Sequence, residues 1–170
     1  MNKKMVAAIN EQVNWEMYSS YLYFSMAAYC DSVNLKGFSS WMRVQAMEEL
    51  SHVKKFYDFM TARGGRVILS AIKAPPTEWK SPLNVFEETL KHEQHVTSRI
   101  NDLVDLSLKL KDHATNSYLR WFVDEQVEEE ESVDEVLQSL KLNKNNPGGL
   151  FMIDKELAQR AFVPPTGVTL

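Results

Sequence analysis

Four long stretches of this chain carry apolar residues in steps of three and four, the spacing of one helix face turned toward a core. The first runs from about Met5 to about Val33, with Ile9, Val13, Ser20, Tyr23, Ala27 and Cys30 on its inner stripe. The second opens near Gly37 and closes at Gly64-Gly65, with Phe38, Trp41, Met42, Phe56, Phe59 and Met60. Ser81-Pro82 reads as an N-cap followed by proline at the first helical position. It opens a third helix, reaching about Lys111, whose stripe is Phe86, Leu90, Val96 with Thr97, Ile100, and Leu103 with Val104. A fourth, from about Asp112 to Leu142, carries Tyr118 with Leu119, Phe122, Val133, Val136 with Leu137, and Leu140. After a polar hinge over 143–149 a short fifth helix is expected from about Leu150 to Phe162, ended by Pro164-Pro165.

The connections set the topology. Asn34-Leu35-Lys36-Gly37 is short, so the first two helices pack antiparallel. Between Gly64 and Ser81 the periodicity breaks: Val67-Ile68-Leu69 is briefly strand-like and Pro75-Pro76 forces an extended path. Fully stretched, this segment reaches roughly 55 Å, more than the roughly 40 Å of the second helix. It can therefore cross the whole bundle and start the third helix parallel to the second. The expected fold is all-α: a four-helix bundle with a long crossover between helices 2 and 3 and a short fifth helix. One domain is expected over 1–170, with bundle at about 5–142, hinge at 143–149, fifth helix at about 150–162 and tail at 163–170.

Composition narrows the class. With 170 residues, 44% hydrophobic and 25% charged, the chain suits one globular core. A net charge of −4 argues against a non-specific nucleic-acid binder. Cys30 has no partner cysteine and no Cys-x-x-Cys exists, compatible with a reducing compartment. Lys3 and Lys4 resemble the start of a signal peptide, but Asn10, Glu11, Gln12 and Asn14 interrupt the run that follows. No apolar stretch is long enough to span a bilayer. A soluble, cytoplasmic protein is expected, with neither nucleic acid nor membrane as partner.

Each of the four stripes has a polar break. Glu16 interrupts the first; Gln45, Glu49 and His52 lie on the second; Glu93 interrupts the third; Gln126 and Glu129 interrupt the fourth. Glu16 to Glu49 and Glu93 to Gln126 are both 33 positions, and His52 and Glu129 each follow three later. In antiparallel hairpins equal separations place the breaks at one height, as a ring of inward groups near mid-bundle. Buried carboxylates are costly unless paired, and a metal ion is one such partner. One Glu from each of two helices with Glu-x-x-His from the others is the known ligand design of ferritin-like di-metal bundles; here one Glu-x-x-His is replaced by Gln126-x-x-Glu129.

Hard oxygen ligands favour Fe(III) over Fe(II), which promotes oxidation by dioxygen. Glu49 is placed to bridge two metals. Neutral Gln126 is a poor ligand, better suited to hydrogen-bonding a bound oxygen species or water. A second position without histidine should hold its metal less firmly, as suits a site that oxidised iron must leave. Tyr23 is a candidate to hydrogen-bond a ligand or donate an electron, a packed core tyrosine being the equal alternative. Met17, Met26, Met42, Met47 and Met60 read as core filling, and Trp121 as core or interface. In the acidic run 124–131, Glu130 and Glu131 read as a solvated face. Glu125 and Glu128, with Glu48, are candidates for a third, weaker cation site.

On these residues the chain resembles the bacterial non-haem ferritins over nearly its full length. The carriers are Glu16 with Tyr23, Glu48-Glu49-Leu50-Ser51-His52, Glu93, Trp121 with Gln126 and Glu129, and the Pro147-Gly148-Gly149 hinge before a short helix. The resemblance implies ferroxidase activity, with paired Fe(II) oxidised by dioxygen or peroxide. It also implies storage of ferric mineral inside a homo-oligomeric cage of twenty-four copies. By position, Glu16, Glu49 and His52 would hold the first iron and Glu49, Glu93 and Glu129 the second. Glu48, Glu125, Glu128 and Glu129 match the extra iron site of the bacterial branch.

Three other readings stand beside it. A bacterioferritin-like cage would have Met after the bridging Glu, to bind haem, and Glu-x-x-His in the fourth helix; Leu50 and Gln126-x-x-Glu129 stand there instead, so no haem is expected. A di-iron oxidase or peroxidase without storage would use the same bundle. A metal-free helical protein would leave several carboxylates buried and unpaired. The acidic positions that line the threefold pore of animal ferritins are Asn116 and Leu119 here, so that entry route is not expected.

Overall fold

A computed structural model describes residues 1–144 and 146–168. Its helices are α1 (Lys3–Ser32), α2 (Lys36–Ala62), α3 (Pro82–Lys109), α4 (His113–Leu142) and α5 (Pro147–Leu157). The ends follow local chemistry. The side chains of Asn2, Ser81 and Asp112 accept the backbone N–H of Lys4, Asn84 and Thr115 and so cap α1, α3 and α4. Asn34, at φ 61°, makes the left-handed turn into α2, a conformation that asparagine tolerates.

In its N-cap position α2 has Leu35, with no side-chain hydrogen bond of its own. Asp154 of α5 supplies one from across the fold: its Oδ1 accepts from the N–H of Gly37 at 2.8 Å and of Phe38 at 3.1 Å. The approach needs a glycine, since a Cβ on Gly37 would lie 1.5 Å from the Asp154 carbonyl oxygen.

The fold is the expected all-α bundle, with α1 packed on α2, α3 on α4, and α5 against α2. The crossover follows α1: Asn10 bonds the backbone of Arg66 and Ile68, Ser25 donates to the Pro76 carbonyl, and Tyr29 meets Trp79. It thus returns to the end where α2 began, and α3 runs parallel to α2. Val67-Ile68-Leu69 forms no strand, because it finds no partner strand among the described residues; Ile68 and Leu69 are exposed. The fifth helix begins earlier and ends sooner than the apolar pattern implied. Asn146 accepts from the N–H of Gly148 and Gly149, which starts the helix at Pro147. It stops at Leu157, and Arg160 beyond it turns back onto α2.

Two apolar clusters fill the bundle, one toward the α5 end around Tyr23, Met26, Phe38, Met42, Phe86 and Ile153. The other, around Met5, Ile9, Phe56, Met60, Ile100 and Phe122, fills the opposite end. The polar breaks Gln12, Glu16, Gln45, Glu49, His52, Glu93, Gln126 and Glu129 belong to neither cluster and are all buried. Met26, Met42 and Met60 fill the core as expected, whereas Met17 and Met47 are only half-buried. Burial pushes the Cys30 thiol up to about 12, which leaves it protonated and unreactive. No helix is long and apolar enough to cross a membrane among the described residues.

Candidate di-metal centre

Each bundle helix delivers its break to the same buried layer, because the 3.6-residue repeat keeps it on the stripe that faces the core. Glu16 arrives from α1, Glu49 and His52 from α2, Glu93 from α3, and Gln126 and Glu129 from α4; none is more than 4% exposed. Among the described residues two groups of three donors have ligand atoms within 4.8 Å of one another: Glu16–Glu49–His52, and His52–Glu125–Glu129. The two groups meet at His52. Its Nδ1 lies 3.3 Å from Glu49 Oε2 and 3.9 Å from Glu16 Oε2, while Nε2 lies 3.8 Å from Glu125 Oε1. A cation on Nδ1 would leave the ring proton on Nε2, facing the Glu125 carboxylate, the usual way a carboxylate orients a metal-binding imidazole.

Glu16 Oε2 and His52 Nε2 are buried without any hydrogen-bond partner. Such orphans are rare in folded proteins and ask for an explanation such as a missing ion. The other Glu16 oxygen accepts from Gln12 Nε2 at 2.9 Å, and Arg99 Nε bonds the Gln12 oxygen at 3.2 Å. Glu93 is held differently: one oxygen accepts the Tyr23 hydroxyl and the other lies 3.3 Å from Gln126 Nε2. The structure therefore does not draw Glu93 into either three-donor group. Gln126 also reaches Thr97 Oγ1 at 3.2 Å.

Crowding carboxylates in a dry layer raises their proton affinity. Burial, and then the charge of Glu93, hold Glu49 well above the usual carboxylate range. Glu93 itself is pushed up to about 8 by burial and by Glu129. Burial raises Glu129 too, with His52 and Gln45 opposing. For His52, burial alone would favour the neutral ring, but Glu125, Glu49 and Glu16 outweigh it and raise its pKa well above the usual value. Tyr23 stays protonated, raised by burial and by Glu93. Raised in this way, Glu49 and Glu93 hold protons that an entering cation would displace.

The candidate third site is only partly assembled. Glu125 joins Glu129 and His52, but Glu48 is paired with Arg160 at 2.5 Å and exposed Glu128 lies outside both groups. Glu130, read as solvated, is half-buried and accepts from Thr97 Oγ1 at 2.5 Å. Trp121 packs its edge on His52, with Lys55 over its face. Two contributors were not singled out by sequence. Gln12 lies on the inner stripe four positions before Glu16, as Gln45, already read on the second stripe, lies four before Glu49, a spacing that could have revealed it. Arg160 lies past the last helix and had no periodic signal.

Four antiparallel-paired helices around a buried layer of carboxylates and one imidazole, with unpartnered donor atoms, define the ferritin-like class of di-metal carboxylate bundle. The ferritin-like domain family matches residues 6–143. A bacterial non-haem ferritin of Staphylococcus saprophyticus is 44% identical over 162 residues, covering 95% of this chain and 97% of the relative. One from Bacteroides fragilis is 40% identical over 160 residues, covering 94% and 99%. Among solved structures, the open-pore ferritin of the hyperthermophilic archaeon Archaeoglobus fulgidus superposes with TM-score 0.94 at 51% identity, covering 95% of this chain and 99% of the other. The chain belongs to the bacterial non-haem ferritin-like family.

Proposed function

We propose that the chain is a ferroxidase and iron-storage subunit, assembled as a cage of twenty-four copies in the cytoplasm. Fe(II) is the substrate. Glu16, Glu49 and His52 receive one ion, and Glu49 and Glu129, with Glu93 released from Tyr23 or Gln126, receive the other. Two Fe(II) give up two electrons, and dioxygen takes them with two protons to leave hydrogen peroxide; peroxide can serve as oxidant in turn, giving water. The protons held by Glu49 and Glu93 are displaced as the ions enter. Ferric product leaves toward the cage interior, where it accumulates as mineral, and no haem takes part.

The observation that carries this reading is Glu16 Oε2, buried without a hydrogen-bond partner beside Glu49 and His52 Nδ1 inside a ring of carboxylates. A polar network built only for structure would satisfy it. The names of the relatives, bacterial non-haem ferritins, support storage. An organic substrate is less well served. The cavity of about 660 Å³ between α1, α3 and the crossover is lined by Trp15, Tyr18, Trp79, His92 and other residues, none of them a carboxylate of the buried layer.

The test is iron retained per chain after aerobic Fe(II) loading and gel filtration. Iron far above the roughly two ions of the bundle site, co-eluting with a large particle, is the expected result. About two per chain would favour the oxidase or peroxidase reading, and none would remove both. In H52A, loading should fall to background.

A further inference from the structure

Arg160 lies outside the bundle, just past α5, yet its guanidinium reaches the metal layer. Nη1 donates to Gln45 Oε1 at 2.8 Å and Nη2 donates to Glu48 Oε2 at 2.5 Å, with the group seated 4.3 Å over the Trp41 ring. Gln45 passes the contact on, since its Nε2 donates to Glu129 Oε2 at 2.6 Å. A guanidinium only donates hydrogen bonds, so it fixes which end of the Gln45 amide faces which neighbour. The oxygen must face Arg160, and the NH₂ must then face Glu129, occupying one of its two oxygens. Glu48 meanwhile already has a cation. Unpartnered His52 Nε2, Glu125 and Glu129 lie beside this arrangement as an incomplete three-donor group.

We propose that Arg160 is a tethered cation that takes the place of a third metal ion at Glu48, and that it positions Gln45 so that Glu129 offers the centre a single free oxygen. The inference rests on the metal-centre reading above. Arg160 touches no reacting atom; it is a positioning residue that limits the centre to two ions. A third ion has to displace the guanidinium from Glu48. When it does, Gln45 is free to turn its own oxygen toward the incoming ion. The tether is α5, which Asp154 docks on the α2 N-terminus independently of the metal layer.

The test uses redox-inert Zn(II), titrated calorimetrically into the metal-free full-length protein in its native assembly. Wild type should take up about two tight ions per chain, with any third binding weakly. In R160A, and in R160M, which replaces the guanidinium by an apolar side chain, the third ion should bind roughly ten- to a hundredfold tighter, the span of one hydrogen bond to a charged group. Adding E48Q to either variant should abolish the gain, and R160K, which keeps the charge but not the fork, should restore most of the restriction. Third-ion affinity unchanged or lowered in both neutral variants would overturn the proposal while leaving the di-metal reading intact. Failure of wild type to bind Zn(II) at all would instead sink the metal-centre reading.

Discussion

At the scale of single residues, the layer is held by contacts that each leave a group unsatisfied if broken. Tyr23 donates its hydroxyl to Glu93, and both side chains are fully buried. Tyr23→Phe should lower the stability of the metal-free protein by about 1–3 kcal/mol, the cost of stranding a buried acceptor. Denaturant unfolding of the two forms measures it, and equal midpoints would show that Glu93 finds another donor. Spacing alone placed Glu16, Glu49, His52, Glu93, Gln126 and Glu129 on inward stripes, since a helix repeats every 3.6 residues whatever surrounds it. How their atoms pair was not legible. Glu93 turns to Tyr23 and Gln126 because two side chains from other helices happen to meet it there, which no one-dimensional pattern encodes.

At the scale of elements, α5 caps α2. Asp154→Ala would leave the N–H groups of Gly37 and Phe38 unpaired, and should destabilise the protein by about 0.5–2 kcal/mol, as for other lost N-caps. Faster amide exchange confined to the first turn of α2 is the signature to look for; uniform change along the bundle would argue against a capping role. Gly37→Ala is the harsher change, because the new Cβ would collide with the backbone of α5 and has no space to yield into. Undocked α5 should then carry Arg160 away from Glu48. Helix number and bundle topology followed from hydrophobic period and loop length. The limits of α5 did not, because Asn146 set its start and Arg160's contacts drew the chain away beyond Leu157.

On the scale of the whole molecule, the buried charge makes stability depend on pH and on metal. Glu93 titrates near 8 in the folded chain, against 4.5 for a free carboxyl, and Glu49 is raised well above 4.5. The folded state therefore binds more protons than the unfolded one across that interval, and stability falls as pH rises through it. His52 acts in the same direction, since its raised pKa adds stability below about 6.5 that is lost as pH climbs through the folded value. The metal-free protein should melt at a lower temperature at pH 8 than at pH 6, and saturating Zn(II) should remove most of the difference. A flat or opposite profile would contradict the protonated layer. By the same linkage, Zn(II) binding at pH 7 should release about one proton or more per chain, seen as a dependence of the binding heat on the buffer's ionisation enthalpy.

The chain's own pattern determined that four long helices form, that the long crossover sets α3 parallel to α2, and that carboxylates and one histidine share a level inside. Those outcomes depend on periodicity, proline, glycine and loop length, which act locally. Tertiary structure decided the rest: that the two nitrogens of His52 face different carboxylate groups, that Glu93 is tied to Tyr23, and that Asp154 and Arg160 bind α5 and the segment after it to α2. These depend on where side chains from distant segments end, and rotamers and backbone positions settle only when the core closes around them.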